Sequence, residues 1–268
     1  MSGNADTVTL ITGAASGLGW ALAQVAFQRG HRLILVDRDA EALADKSARL
    51  AATDPQRVTY HTLDLTDGPA RDRLVDRIAA RGRLDVLINN AGITHRSLAA
   101  RTDPKVFHQV MAVDWEAPVA LTLGCLPLLR DSGGCVINIG SMAGWMPVLG
   151  RAGYCSAKAA LAQFFEVLRG EVADQGIDVL MVYPSFLATP IERNALGHDG
   201  GPAAHARSSV GRVRSAEWMA ERVWDAFERG DKRLFPDRFT FLASLLWRLA
   251  PDLYHRLMRR RFAMELDS

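Results

Sequence analysis

Short, nearly continuous runs of aliphatic and β-branched residues alternate along the chain with longer stretches whose apolar positions recur every three or four residues. Val8–Ile11, Leu33–Val36, Val58–Thr62, Val86–Asn89, Cys135–Ile139 and Val179–Tyr183 read as strands. Their lack of polar alternation suits a parallel sheet covered on both faces. Helical periodicity runs over about 17–29, 40–51, 67–81, 104–130 and 152–174. In the first of these, Leu18, Leu22, Val25 and Phe27 form an apolar face and Gly30 supplies the stop. Strand–helix alternation at this spacing predicts an α/β fold, a doubly wound parallel sheet with helices on both faces. A helix at about 215–229 and a short strand near Arg233–Phe235 would complete it.

Two segments depart from that rhythm. Residues 190–214 carry Gly197, Gly200, Gly201 and Pro202 among serines and arginines, and read as a substrate loop or a linker. Beyond it, Phe239, Leu242, Leu245, Leu246, Leu249, Leu253, Leu257 and Phe262 recur at helical steps, with Pro251 dividing them into two helices. The chain is thus expected to comprise a sheet domain over 1–236 and an amphipathic helical extension over 237–268. Six arginines against one aspartate, Asp252, lie between Arg238 and Phe262. Such a helix can rest on an anionic membrane surface, or its apolar face can pack on the core, beside the substrate loop, or on a partner subunit.

Composition narrows the field without deciding it. At 268 residues, 49% hydrophobic and 23% charged, the chain is long enough for one sizeable core. With 32 basic and 30 acidic residues, no net field would recruit nucleic acid. Cys125, Cys135 and Cys155 cannot all pair and form no C-x-x-C, which excludes a disulfide framework and a zinc ribbon. The short polar start, Met1–Thr7, reads as no signal peptide, and no apolar run reaches the roughly 18 residues that span a bilayer. A reducing, cytoplasmic location is expected.

The candidate chemistry falls into two groups. Thr12-Gly13-Ala14-Ala15-Ser16-Gly17-Leu18-Gly19 follows the first strand and opens the first helix. Glycines there let the backbone turn sharply against a pyrophosphate, and the helix N-terminus presents unpaired N–H groups. Asp37 ends the second strand, where a carboxylate can accept from both ribose hydroxyls of an adenosine and repel a 2′-phosphate. NAD is therefore favoured over NADP, although Arg38 next door could pair with a phosphate. Asp64-Leu65 and Asn89-Asn90-Ala91-Gly92 close the third and fourth strands on the same sheet edge. The second group is Ser141, Tyr154 and Lys158. Tyr154 and Lys158 are one helical turn apart and share a face. A free tyrosine titrates near pH 10, so proton exchange near neutrality needs a shift of roughly 2–3 units, about 3–4 kcal/mol. A neighbouring ammonium supplies it by favouring the phenolate. Taken alone, a Tyr-x-x-x-Lys is an ordinary surface pair.

Taken together, Thr12–Gly19, Asn89–Gly92, Ser141, Tyr154-x-x-x-Lys158 and Pro184-Ser185-Phe186-Leu187-Ala188-Thr189 resemble, in order and kind, the short-chain dehydrogenases/reductases over about residues 6–230. The resemblance implies a single Rossmann-type domain that moves hydride between a nicotinamide and a carbon bearing a hydroxyl or carbonyl. It implies that Tyr154 exchanges the substrate proton, that Lys158 binds the nicotinamide ribose and lowers the tyrosine pKa, and that Ser141 orients the substrate. Gly13, Ser16, Gly17, Leu18, Gly19, Asp37, Arg38, Asp64, Leu65, Asn90, Ala91 and Gly92 would hold the cofactor. Pro184, Leu187 and Thr189 would grip its carboxamide end. A homodimer or homotetramer is expected on the same ground.

The pattern departs from the family at two positions. Val113-Asp114-Trp115 stands where an Asn is usual, so Asp114 either preserves a proton relay to Lys158 or offsets the ammonium's effect on Tyr154. Ser185 replaces a commoner glycine. Met142, Trp145, Met146, Val148, Leu149, Phe186 and Leu196 flank these residues and predict a pocket for a hydrophobic alcohol or ketone. The competing reading is a non-catalytic dinucleotide-sensing protein, which Asp114 favours and the intact Tyr154 and Lys158 oppose.

Overall fold

A computed structural model of the protein describes residues 6–203, 212–236 and 238–261, apart from the side chains at 239 and 240. Phe262, part of the loop (204–211) and the expected boundary at 237 lie outside the described residues. Strands β1 (Val8–Thr12), β2 (Arg32–Asp37), β3 (Val58–Thr62), β4 (Val86–Asn89), β5 (Cys135–Ile139), β6 (Asp178–Val182) and β7 (Arg233–Leu234) form one sheet in the order β3-β2-β1-β4-β5-β6-β7. Every pairing is parallel. The order reverses between β1 and β4, which opens a crevice at their carboxyl ends, the place where doubly wound sheets bind ligands.

Helices α1 (Gly17–Gln28), α2 (Ala40–Ala51), α3 (Gly68–Ala79), α4 (Pro104–Met111), α5 (Ala117–Ser132), α6 (Ala152–Glu171) and α7 (Ala216–Glu228) cover the sheet. Alternate strand residues divide the core in two, as a pleat with a period of two requires. Ile11, Leu33 and Leu35 pack with Leu22 of α1, Leu43 of α2 and Val223 and Trp224 of α7. Leu10, Ile34 and Val36 share the other layer with Leu74 of α3, Leu121 of α5 and Phe165 of α6. The first and seventh helices are tied further: Trp224 Nε1 donates to the Leu22 carbonyl at 3.1 Å, and Arg29 reaches Glu221, Asp225 and Glu228 at 2.7–3.0 Å.

The stretch expected as one helix over 104–130 is not uniform. Between α4 and α5, residues Ala112–Glu116 make a single π turn. An extra residue in the turn breaks the regular phase of the side chains, a device often found at functional sites. By length and composition Pro104–Ser132 could cross a bilayer. Here it packs on the sheet through Val106, Val110, Leu121, Cys125 and Leu129, all buried.

The loop after β6 is pinned rather than free over its described part. Leu196 N donates to Thr94 O at 2.9 Å, and Arg96 N returns a bond to Leu196 O at 2.7 Å. Asp103 N donates to His198 O at 2.8 Å. The C-terminal stretch forms α8 (Arg238–Leu249) and α9 (Pro251–Arg261), divided at Pro251 as its sequence predicts. Phe241 lies against Phe235, Arg248 covers Trp145 at 4.2 Å, and the Tyr254 hydroxyl donates to Pro147 O at 2.8 Å. One face of this pair therefore packs on the body of the protein.

Candidate active site

The turn from β1 into α1 opens onto a cleft of about 400 Å³. Gly13 (φ +66°) and Gly17 (φ +52°) occupy the left-handed region that side chains disfavour. Gly19 serves differently: a Cβ there would lie 2.0 Å from Gly13 O. It is a packing glycine behind the turn and does not line the cleft. Ser16 precedes the helix without a side-chain cap, which leaves the N-terminal N–H groups of α1 turned toward the cleft. Thr12 staples this turn to β4, its hydroxyl accepting from Asn90 N and Ala91 N at 3.0 Å each. The Asn90 carboxamide donates to Thr12 O at 2.9 Å and Gly13 O at 3.2 Å.

Asp37, Arg38, Asp64 and Leu65 line the neighbouring part of the cleft. Asp37 accepts from Ala15 N at 2.9 Å and Asp39 N at 3.1 Å, which fixes its carboxylate against the glycine turn. Asp64 is held below the usual carboxylate range, chiefly by the Thr66 backbone N–H, with Arg38 among the smaller causes. A tight glycine turn, an uncapped helix N-terminus and a fixed carboxylate beyond it fit a dinucleotide's pyrophosphate and ribose.

At the other end, β5 delivers Ser141 and α6 delivers Tyr154 and Lys158 to the same cleft, joined by Gly92, Pro184, Leu187 and Thr189. Lys158 is buried, and its Nζ donates to Ile139 O at 3.1 Å. It lies 3.1 Å from Asp114 Oδ2 and 5.8 Å from the centre of the Tyr154 ring. Asp114 is fully buried behind the lysine, at the π turn, with Oδ1 accepting from Ile93 N at 2.8 Å. It touches the ammonium without lining the cleft. Burial alone would lower the Lys158 pKa, but the Asp114 carboxylate and Tyr154 raise it on balance. Asp114 itself is pushed up by burial, against the pull of Lys158 and the Ile93 N–H. Burial also raises Tyr154; Lys158 lowers it, Asp114 raises it further, and a hydrogen bond with Ser141 lowers it.

A family model described as short chain dehydrogenase matches residues 7–199. The chain belongs to the short-chain dehydrogenase family. The Bos taurus dehydrogenase/reductase SDR family member 7B is 36% identical over 271 residues, covering 98% of this chain and 83% of the relative. A Drosophila melanogaster SDR family protein 7-like is 33% identical over 267 residues, covering 97% and 82%. Among solved structures, a short-chain dehydrogenase from Streptomyces avermitilis is 29% identical with a TM-score of 0.77, covering 96% of this chain and 98% of that one. Another from Burkholderia cenocepacia, in complex with NADP, shares the fold at 23% identity and a TM-score of 0.80, with 96% and 99% covered. This short-chain dehydrogenase is accordingly an oxidoreductase of a family that binds a nicotinamide cofactor.

Within the dehydrogenase, two pocket expectations change. Met142, Met146, Val148, Phe186 and Leu196 line the cleft. Trp145 does not: the short 3₁₀ turn Met142–Gly144 carries its ring to the far side, against Tyr183 and Phe235 and under Arg248. Leu149 is likewise absent from the lining. Four contributors escaped sequence reasoning. His95 Nε2 accepts from Gly153 N at 2.9 Å, so its ring satisfies an unpaired N–H in the first turn of α6 beside Tyr154. Arg151, buried, and Glu192 both line the cleft and lie 3.5 Å apart, while buried Arg96 reaches the same carboxylate at 2.9 Å. Nothing in the sequence marks these four; the partners are too far apart along the chain. Thr12 belongs to the glycine-turn motif, and its stapling contacts to Asn90 N and Ala91 N are closed only by the fold.

Proposed function

We propose that the protein transfers hydride between NAD and a hydroxyl- or carbonyl-bearing carbon of a hydrophobic small molecule. The observation that carries this reading is Tyr154 in one cleft with Ser141, and a buried Lys158 ammonium behind it. A bound nicotinamide supplies or accepts the hydride. Ser141 orients the substrate oxygen, and the Tyr154 hydroxyl exchanges a proton with that oxygen. Lys158 steadies the developing phenolate and offers an ammonium to ribose hydroxyls. Gly13, Ser16, Gly17 and Leu18 would hold the pyrophosphate, and Pro184, Leu187 and Thr189 the nicotinamide end.

Charge at the adenosine end supports NAD. Asp37, Asp39 and Asp64 outnumber Arg38 along that wall, and a 2′-phosphate would meet a net negative surface. The Burkholderia protein and an alcohol dehydrogenase from Thermococcus sibiricus were solved with NADP or 5-hydroxy-NADP, so the preference here is a property of these carboxylates. The methionines, Val148, Phe186 and Leu196 favour an apolar substrate, with Arg151 and Glu192 forming one polar edge.

Mixing the protein with NAD and a panel of secondary alcohols should produce reduced nicotinamide, read by absorbance, with higher kcat/KM for NAD than for NADP. Tyr154→Phe should lower turnover by at least about 100-fold while nucleotide binding is kept. Near-normal turnover in that variant would overturn the proton-transfer role. A wild-type preference for NADP would overturn the cofactor assignment.

A further inference from the structure

The inner row of α9, Tyr254 and Met258, faces the body of the protein, with Tyr254 buried on Pro147. A second apolar row faces outward. Leu253 and Leu257, one turn apart, are 44% and 46% exposed. Leu249 and Leu242 on α8, two turns apart, are 83% and 62% exposed. Four of the eight large hydrophobic side chains that stand exposed among the described residues lie on this helix pair, a concentration that a soluble face does not require.

Cations border this surface. Arg256 and Arg260 follow Leu253 and Leu257 by three positions each, so their row runs beside the leucine row. Arg261 follows Leu257 by four and flanks it on the other side. Arg256, Arg259, Arg260 and Arg261 are exposed or nearly so, and none has an acidic partner at ion-pair distance among the described residues. Asp252 is the one acidic residue of α9. Leucines between arginines can sink into the acyl boundary while the guanidinium groups stay at the level of anionic headgroups. A second copy of the chain suits the surface poorly, because a two-fold interface through α9 would set both arginine clusters face to face.

We propose that α8 and α9 dock the protein on an anionic lipid surface through Leu242, Leu249, Leu253 and Leu257, with Arg256, Arg260 and Arg261 on the headgroups. The docked pair is anchored to the segment that builds the cleft's substrate wall. Arg248 covers Trp145 and Tyr254 holds Pro147, on either side of Met146. Docking therefore places the segment that carries cleft-lining Met146 between the docked helices and the cleft.

Co-sedimentation of the whole chain with vesicles tests this without reference to catalysis. Vesicles of phosphatidylglycerol and phosphatidylcholine should bind at least about tenfold more tightly than phosphatidylcholine alone, and concentrated salt should release the protein. The double variants Leu249→Glu/Leu253→Glu and Arg256→Glu/Arg260→Glu should each weaken binding by at least about tenfold. Their melting temperatures should stay near wild type, since the altered side chains are exposed. Equal binding to both vesicle types, or none, overturns the proposal on the wild-type protein alone. Folded variants that bind as well as wild type also overturn it. So does a wild-type dimer, seen by size-exclusion chromatography with light scattering, that ignores vesicles and dissociates in Leu249→Glu/Leu253→Glu.

Discussion

Asp114 serves two donors with one carboxylate: Oδ1 accepts from Ile93 N, and Oδ2 neutralises Lys158. An asparagine could keep only one of these contacts, because its amide nitrogen would face either an N–H or an ammonium. Asp114→Asn should therefore cost about 1–3 kcal/mol, the penalty for an unpaired buried donor, and lower the melting temperature. Its effect on chemistry should have the opposite sign. The carboxylate opposes ionisation of Tyr154, so its removal lets the phenolate form at lower pH. Activity in the variant should be kept or increased, with the basic limb of alcohol oxidation moved toward lower pH. A pH–rate profile of both proteins with saturating NAD checks it. An unmoved or upward-shifted limb would sink the electrostatic account and leave the family assignment intact.

At the scale of elements, each strand and helix places its residue by a local device, and some of these devices are written in the sequence. Glycines at 13 and 17 announce the β1–α1 turn, and Asp39 and Asp67 cap α2 and α3 through Ala42 N and Ala70 N. Gly19 is the sharpest case. Gly19→Ala would drive a methyl group into Gly13 O and the Asn90 carboxamide, and backbone on both sides prevents relief. Thermal or urea unfolding should show a loss of about 1–3 kcal/mol, as for other overpacked sites. A wild-type melting curve would mean that the turn and α1 can separate freely. Other devices were not legible. The π turn depends on which backbone carbonyl each N–H selects, and side-chain periodicity over 104–130 does not encode that choice. Trp145 follows pocket-lining Met142 closely, yet a 3₁₀ turn between them sends it to the opposite side. His95 caps a helix whose first turn lies far along the chain, through Gly153 N. Local pattern reveals strands, helices and glycine turns because their causes are local; a contact closed by the tertiary fold leaves no such trace.

For the molecule as a whole, two buried histidines set a limit on acid tolerance. His31 meets Thr9 Oγ1 at 2.9 Å and the edge of Trp224, while His95 accepts from Gly153. Burial first, then nearby arginines, pushes both down to about 4 from 6.5. The unfolded chain takes these protons as pH falls below 6.5, whereas the folded chain resists until about 4. Stability is unaffected above that window and is lost through it, by up to about 3 kcal/mol per histidine at pH 4. Urea midpoints measured from pH 7 to 4 should fall across this range, and less steeply in His95→Gln. A midpoint that holds steady to pH 4 would contradict both assignments. The clasp between α1 and α7 bears on the making of the protein. Trp224 closes on Leu22 across 202 positions of chain. A ribosome delivers the first helix long before the seventh, so the apolar side of α1 stays uncovered through most of synthesis. Fragments that stop short of Ala216 should inherit that bare side and aggregate, and a nascent chain needs shelter until its last sheet-covering helix has emerged.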